Sequence, residues 1–191
     1  RGPRKLLHHP FEQRRPDAAH GEPYAQLWFA AFFADAPQKN FARHQRFPID
    51  AMRSSAAPFE LRVGDAVLAH DGARGHIAGE GHSASWNLAW QPSGPTQLHL
   101  PESIYTTRFA DTRVLSPNWR VRAHGTITLD GTKLVFDDAP LGQTHLWGRK
   151  HAHEWAWGHC NDFPNAPDAA LETLTVRLKK RGAVLPPLTL V

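Results

Sequence analysis

The stretch GQTHLWGRKHAHEWAWGHCNDF, residues 142–163, gathers four histidines, three of the chain's seven tryptophans and its single cysteine. Imidazoles bind metals and move protons near neutral pH, while indoles offer large apolar faces with one N–H donor each. Three chemistries are therefore open: a metal site, an acid/base centre, or the wall of an apolar pocket. On an extended strand side chains repeat every two residues, so His153, Trp155, Trp157 and His159 share one face. Glu154, Ala156, Gly158 and Cys160 share the other, where Cys160 is expected to be a packed thiol rather than a nucleophile.

In the metal reading His151 and His153 form a His-x-His pair that His145 or His159 would complete. No carboxylate or cysteine stands at a zinc-enzyme spacing and HExxH is missing, so no metal is expected. In the acid/base reading a histidine or Glu154, its proton affinity shifted by burial beside the indoles, exchanges a proton with an apolar substrate. In the plainest reading Trp155 and Trp157 are core residues and the histidines satisfy backbone groups or face solvent. The chain has no GxSxG elbow, no Walker loop and no GxGxxG opening a helix, so the common nucleophile and phosphate-binding devices lack their carriers.

These residues must be positioned by strands. HSASWNLAW alternates, with Trp86, Leu88 and Trp90 on one face and Ser85, Asn87 and Ala89 on the other. Asp130-Gly131 stands between two alternating runs, a strong hairpin signal. Residues 142–163 read as a strand, a turn near Gly148 to Lys150, and a second strand from His153 to Asn161. LETLTVRL alternates through Leu174, Val176 and Leu178 before a turn at Arg181-Gly182. About nine or ten short strands without a long amphipathic helix predict an antiparallel barrel or sandwich. The tryptophan placement favours a barrel able to hold a ligand.

With 191 residues and 41% hydrophobic content the chain can bury a substantial core. Residues 1–23, rich in proline and arginine, predict an irregular arm, and residues 24–191 the barrel. The net charge of +4 comes from scattered basic residues, which fits a solvated surface rather than a nucleic-acid footprint. No run is long enough for a membrane-spanning helix. One cysteine excludes an internal disulfide, and with no secretory signal at the start the expected location is cytoplasmic. The apolar ending LPPLTLV fits a barrel whose partner half lies elsewhere.

The segment HLWGRKHAHEWAW resembles the signature strand pair of the tocopherol cyclase-like, carotenoid hydratase-like superfamily of lipocalin-related proteins. There a His-x-Trp-Gly step is followed by His-Ala and then Trp-x-Trp, matched here by His145, Trp147, Gly148, His151, Ala152, Trp155 and Trp157. The resemblance runs over residues 120–163 and, more loosely, 72–119. It implies a lipocalin-like antiparallel β-barrel, often one half of a two-barrel protein. It also implies cyclase, hydratase or pericyclase chemistry on terpenoid or polyketide substrates without metal or redox cofactor. Leu146 departs from the pattern, standing where cyclase-type members often carry a polar residue.

The expectation is thus a pocket that binds a hydrophobic small molecule through Trp86, Trp90, Trp147, Trp155, Trp157 and His159. His145, His151, His153 or Glu154 would supply the proton for cyclisation, hydration or isomerisation. A non-catalytic carrier fits the tryptophans equally well. A third reading makes the chain a structural half that pairs with a second barrel domain or another copy.

Overall fold

The computed structural model describes residues 21–92, 94–107, 112–148, 152–167, 169–180 and 182–190. Residues 1–20 of the expected arm, and His151, lie outside the described residues. The chain runs through β1 (Tyr24–Ala31), β2 (Phe41–Pro48), β3 (Met52–Ala56), β4 (Phe59–Val63), β5 (Ala66–Ala69), β6 (Gly72–Gly79) and β7 (His82–Trp90). It continues with β8 (Gln97–Leu98), the five-residue α1 (Glu102–Thr106), β9 (Thr112–Leu129), β10 (Thr132–Gly148), β11 (Glu154–Cys160) and β12 (Leu171–Arg177). β13 (Lys179–Lys180), β14 (Ala183–Val184) and β15 (Leu188–Leu190) end it. The all-β expectation holds, and among the described residues no helix is long and apolar enough to cross a membrane.

Two compact units divide the chain: Arg1–Trp90 with Ala123–Asp138, and Gln91–Arg122 with Ala139–Val191. The first holds β3 to β7 with the parts of β9 and β10 inside residues 123–138, in the order β10-β9-β7-β6-β5-β4-β3 of a strongly curled antiparallel half-barrel sheet, together with the β1-β2 pair. The alternation of β7 appears as expected: Ala84 and Trp90 are buried, Trp86 and Leu88 half-buried, and Ser83, Ser85, Asn87 and Ala89 exposed. Ile77, Ala84, Val67 and Ala123 join Trp90 in an apolar core. The Trp90 indole N–H donates to the His70 carbonyl at 2.8 Å, which removes the cost of burying it.

The Asp130-Gly131 hairpin is also found. Both residues have positive φ, 48° and 82°, as a two-residue turn matching strand twist requires. The Asp130 carboxylate accepts the Ser83 amide N–H at 2.6 Å and pairs with His82 Nδ1 at 2.7 Å. These bonds, His82 first, hold its pKa below the usual carboxylate value.

Gly75 lies opposite Trp86 across β6 and β7. A Cβ there would stand 2.5 Å from the Trp86 ring and 2.9 Å from Ala66 Cβ, and the indole is backed by Phe29 with ring centroids 5.5 Å apart. Phe29 thus limits how far the half-buried ring can shift on that side. Gly75→Ala is expected to cost about 1–3 kcal/mol through overpacking, measured as a lower urea midpoint with an unchanged slope.

Candidate functional site

The second unit has a different interior. The four buried polar or charged side chains among the described residues, Ser116, Asn118, Gln143 and Glu172, all belong to it. β11, β12 and β15 form its three-stranded antiparallel sheet. Their register aligns Trp155, Val176 and Leu188 in one row, Trp157, Leu174 and Leu190 in the next, and His159 with Glu172 beyond them. Cross-strand partners share a face, so one side of this sheet is an apolar strip ending in a carboxylate and an imidazole. Trp155 and Trp157 remain 68% and 52% exposed on it. The opposite side is polar, with an Arg177–Glu154 ion pair at 3.2 Å and a Thr175–Thr189 hydroxyl contact at 3.0 Å.

Glu172 is the centre of the buried polar group, its side chain only 4% exposed. Its Oε1 accepts the Trp157 indole N–H at 3.0 Å, and its Oε2 accepts the Ser116 hydroxyl at 3.2 Å. His99 Nε2 lies 3.5 Å from Oε1, and His159 Nδ1 lies 3.7 Å from Oε2. The Ser116 hydroxyl carries one proton, and it goes to Glu172. Ser116 Oγ then accepts from its other neighbours, Thr144 Oγ1 at 2.9 Å and His99 Nε2 at 3.1 Å. This chain of bonds places the His99 proton on Nε2, facing the carboxylate.

Each member is held from outside the cluster. The buried Tyr105 hydroxyl accepts the backbone N–H groups of His99 and Leu100 at 3.1 and 3.2 Å and donates to the Val114 carbonyl at 2.5 Å. It thereby fixes the segment carrying His99 against β9, and burial pushes its pKa up, keeping it a donor. Asn118 Nδ2 donates to Gln143 Oε1 at 2.6 Å between β9 and β10. His159 packs onto Gly142, where a Cβ would stand 3.0 Å from Nε2. Both ring nitrogens of His159 are buried without a hydrogen-bond partner among the described residues. Leaving such an atom without a partner costs about 1–3 kcal/mol. Although two imidazoles flank Glu172, no group of three or more His, Cys, Asp or Glu among the described residues is placed to hold a metal ion.

A family model described as tocopherol cyclase-like matches residues 33–184. The chain belongs to the tocopherol cyclase-like family. Curated proteins and solved structures give no match. The matched span contains the whole Glu172 cluster of this tocopherol cyclase-like chain, from His99 to Glu172.

The residues singled out in the sequence are divided between the units. Trp86 and Trp90 belong to the first. In the second, Trp157 and His159 share one face, stacked with centroids 5.8 Å apart, and both reach Glu172. Trp155 lies on the same face, exposed. His145 stacks on Trp147 at 5.0 Å, and Trp147 meets Tyr105 at 6.0 Å. Glu154 is engaged with Arg177 on the polar side, and His153 is exposed just before β11. Cys160, expected to be packed, is exposed, as are Glu154, Ala156 and Gly158 on the same side of β11. Glu172, His99, Ser116 and Thr144 were not singled out. Only Glu172 left a signal, an acid in phase with Leu174, Val176 and Leu178 on an apolar strand face.

Tyr105→Phe leaves two amides and a carbonyl without their partner, and a loss of about 1–3 kcal/mol is expected in urea unfolding. Burial lowers the His145 pKa from its ordinary 6.5. The unfolded chain therefore takes up this proton first as pH falls. The associated stability is present above pH 6.5 and is lost as pH drops through the window below it. His145→Phe is expected to flatten the fall in thermal midpoint between pH 7 and pH 5, conditions that bracket the ordinary histidine value.

Proposed function

We propose that this tocopherol cyclase-like chain binds an apolar, isoprenoid- or polyketide-like molecule along the Trp155–Trp157 face. It then catalyses a cofactor-free cyclisation, hydration or isomerisation by proton transfer at Glu172. The observation that carries the reading is a buried carboxylate, bonded to a hydroxyl and an indole N–H and with two imidazoles within 3.7 Å, at the end of an apolar aromatic strip. This composition suits a substrate whose body is hydrocarbon and whose reacting atom needs a proton.

In this reading the Glu172–His99 pair, bridged by Ser116, first takes up one proton beyond that on His99 Nε2, and this added proton is the one transferred. Transfer to one carbon of a substrate double bond forms a C–H bond and leaves a cation on the neighbouring carbon. The indole faces of Trp155 and Trp157 stabilise that cation by about 0.5–2 kcal/mol each. An oxygen of the same molecule closing a ring, or a water, then attacks the cation and returns its own proton to the pair. In an isomerisation the pair instead removes a neighbouring proton. Atoms and charge balance in every case without a redox partner. This reading gives the proton-transfer role to Glu172 and His99, with His159 beside them, and the expected roles of His145, His153 and Glu154 are not used in it, while His151 lies outside the described residues.

The exposure of Trp155, Trp157 and Leu188 favours a second reading, in which a second barrel or another copy completes the wall. A third outcome, a carrier, follows if the face binds and nothing reacts.

The test is incubation with prenylated phenols and linear polyenes in D2O, followed by mass spectrometry. Proton transfer to carbon places one deuterium in the product. Glu172→Gln is expected to lower its formation about 10²–10⁴-fold while tryptophan quenching by the same compounds persists. Quenching with no deuterium uptake by the native chain would leave a carrier, and turnover unchanged in Glu172→Gln would sink the assignment.

A further inference from the structure

β1 and β2 of the first unit pair along their whole length, from Tyr24 opposite Pro48 to Ala31 opposite Phe41. One side of the pair turns inward: Ala25 is buried, and Phe29 stacks on Phe41 and Trp86. Alternation puts Tyr24, Gln26, Trp28 and Ala30 on the other side, in line with Phe32 just past the strand. Ala42, His44, Arg46 and Pro48 are their neighbours on β2. Phe32 is 81% exposed and Trp28 63%. Single exposed apolar residues are ordinary, but two exposed aromatics on one strand face, followed by an 81% exposed Phe32 just past the strand, form the kind of cluster that marks interaction surfaces.

Its polar groups identify the partner. None of the strand residues on this face is acidic, Glu22 and Asp35 standing in the flanking connections. Arg46 lies over the Tyr24 ring, 4.0 Å from its centroid, and pairs with no carboxylate among the described residues. By contrast Arg43, on the inward side, is engaged with the Gly79 and Glu80 carbonyls. Tyr24, Arg46, Phe47 and Pro48 help line a depression of about 540 Å³ that also includes Glu22. The Trp28 indole lies flat on His44, centroids 4.6 Å apart, with its N–H directed to Gln26.

We propose that this face docks the protein on a lipid bilayer containing anionic headgroups. Phe32 and Trp28 enter the acyl boundary, Tyr24 and the Trp28 N–H sit at headgroup level, and Arg46 meets a lipid phosphate at the depression. Indole and phenol rings suit that boundary because each has an apolar body and one polar tip. Apolar side-chain area and attraction to anionic lipid add in such binding. The face belongs to the unit that lacks the Glu172 cluster, so its lipid binding is measurable whether or not that cluster is catalytic. A molecule of the class proposed above partitions into bilayers, which gives such docking a use.

The experiment is flotation of the full chain with vesicles of phosphatidylcholine alone and with phosphatidylglycerol added. The native chain is expected to float with the phosphatidylglycerol vesicles, less so at high salt. Phe32→Ser, and the double variant Trp28→Ser with Phe32→Ser, are expected to lower the partition coefficient tenfold or more. Arg46→Gln is expected to lower it about fivefold on the anionic vesicles only. Unchanged thermal midpoints would show that the exposed substitutions leave the fold intact. The proposal is overturned if neither vesicle binds, or if binding survives the double variant. It is also overturned if the same variant abolishes concentration-dependent self-association in a chain that binds no vesicle.

Discussion

The second unit is organised by the cost of keeping a carboxylate out of water. Left without partners, a buried charge costs several kcal/mol, so Glu172 is tolerable only if donors reach it from fixed directions. Those donors come from separate segments, the indole of Trp157 on β11 and the hydroxyl of Ser116 on β9, while His99, from the connection that Tyr105 ties to Val114, bonds to Ser116 and stands 3.5 Å from the carboxylate. The register of β11 against β12, with His159 opposite Glu172, is therefore constrained by polar satisfaction as well as by the apolar rows beside it. A slip of one residue would turn Glu172 to the other side of the sheet and away from these donors.

The first unit obeys the simpler rule. Its core is apolar, its Asp130-Gly131 turn is encoded by adjacent residues, and its close fits, such as the Trp86 ring against Gly75, are steric. That difference explains what could be read in advance. Alternation in β7 and the Asp130-Gly131 turn depend on residues near one another in sequence, and both were legible. The shared face of Trp157 and His159 was legible for the same reason. The cluster was not, because His99, Ser116, Thr144 and Glu172 come from four segments whose juxtaposition is a matter of tertiary pairing. Glu172 alone broke a local pattern, by standing where an apolar side chain belonged. Histidine density drew attention instead to Glu154 and His153, which the strand presents to solvent or to Arg177.

The same reasoning separates tryptophans that composition cannot tell apart. The decisive quantity is where each indole N–H goes. In Trp90 it ends on a backbone carbonyl, His70, and the ring is buried: the donor is satisfied so that the residue can serve as core. In Trp157 it ends on a carboxylate while half of the ring stays open to solvent. A fold gains little from stabilising a charge beneath a ring it leaves exposed, since an apolar pair of similar volume would serve stability as well or better. Burying a carboxylate and two imidazoles next to a half-exposed Trp157 is therefore not accounted for by stability alone.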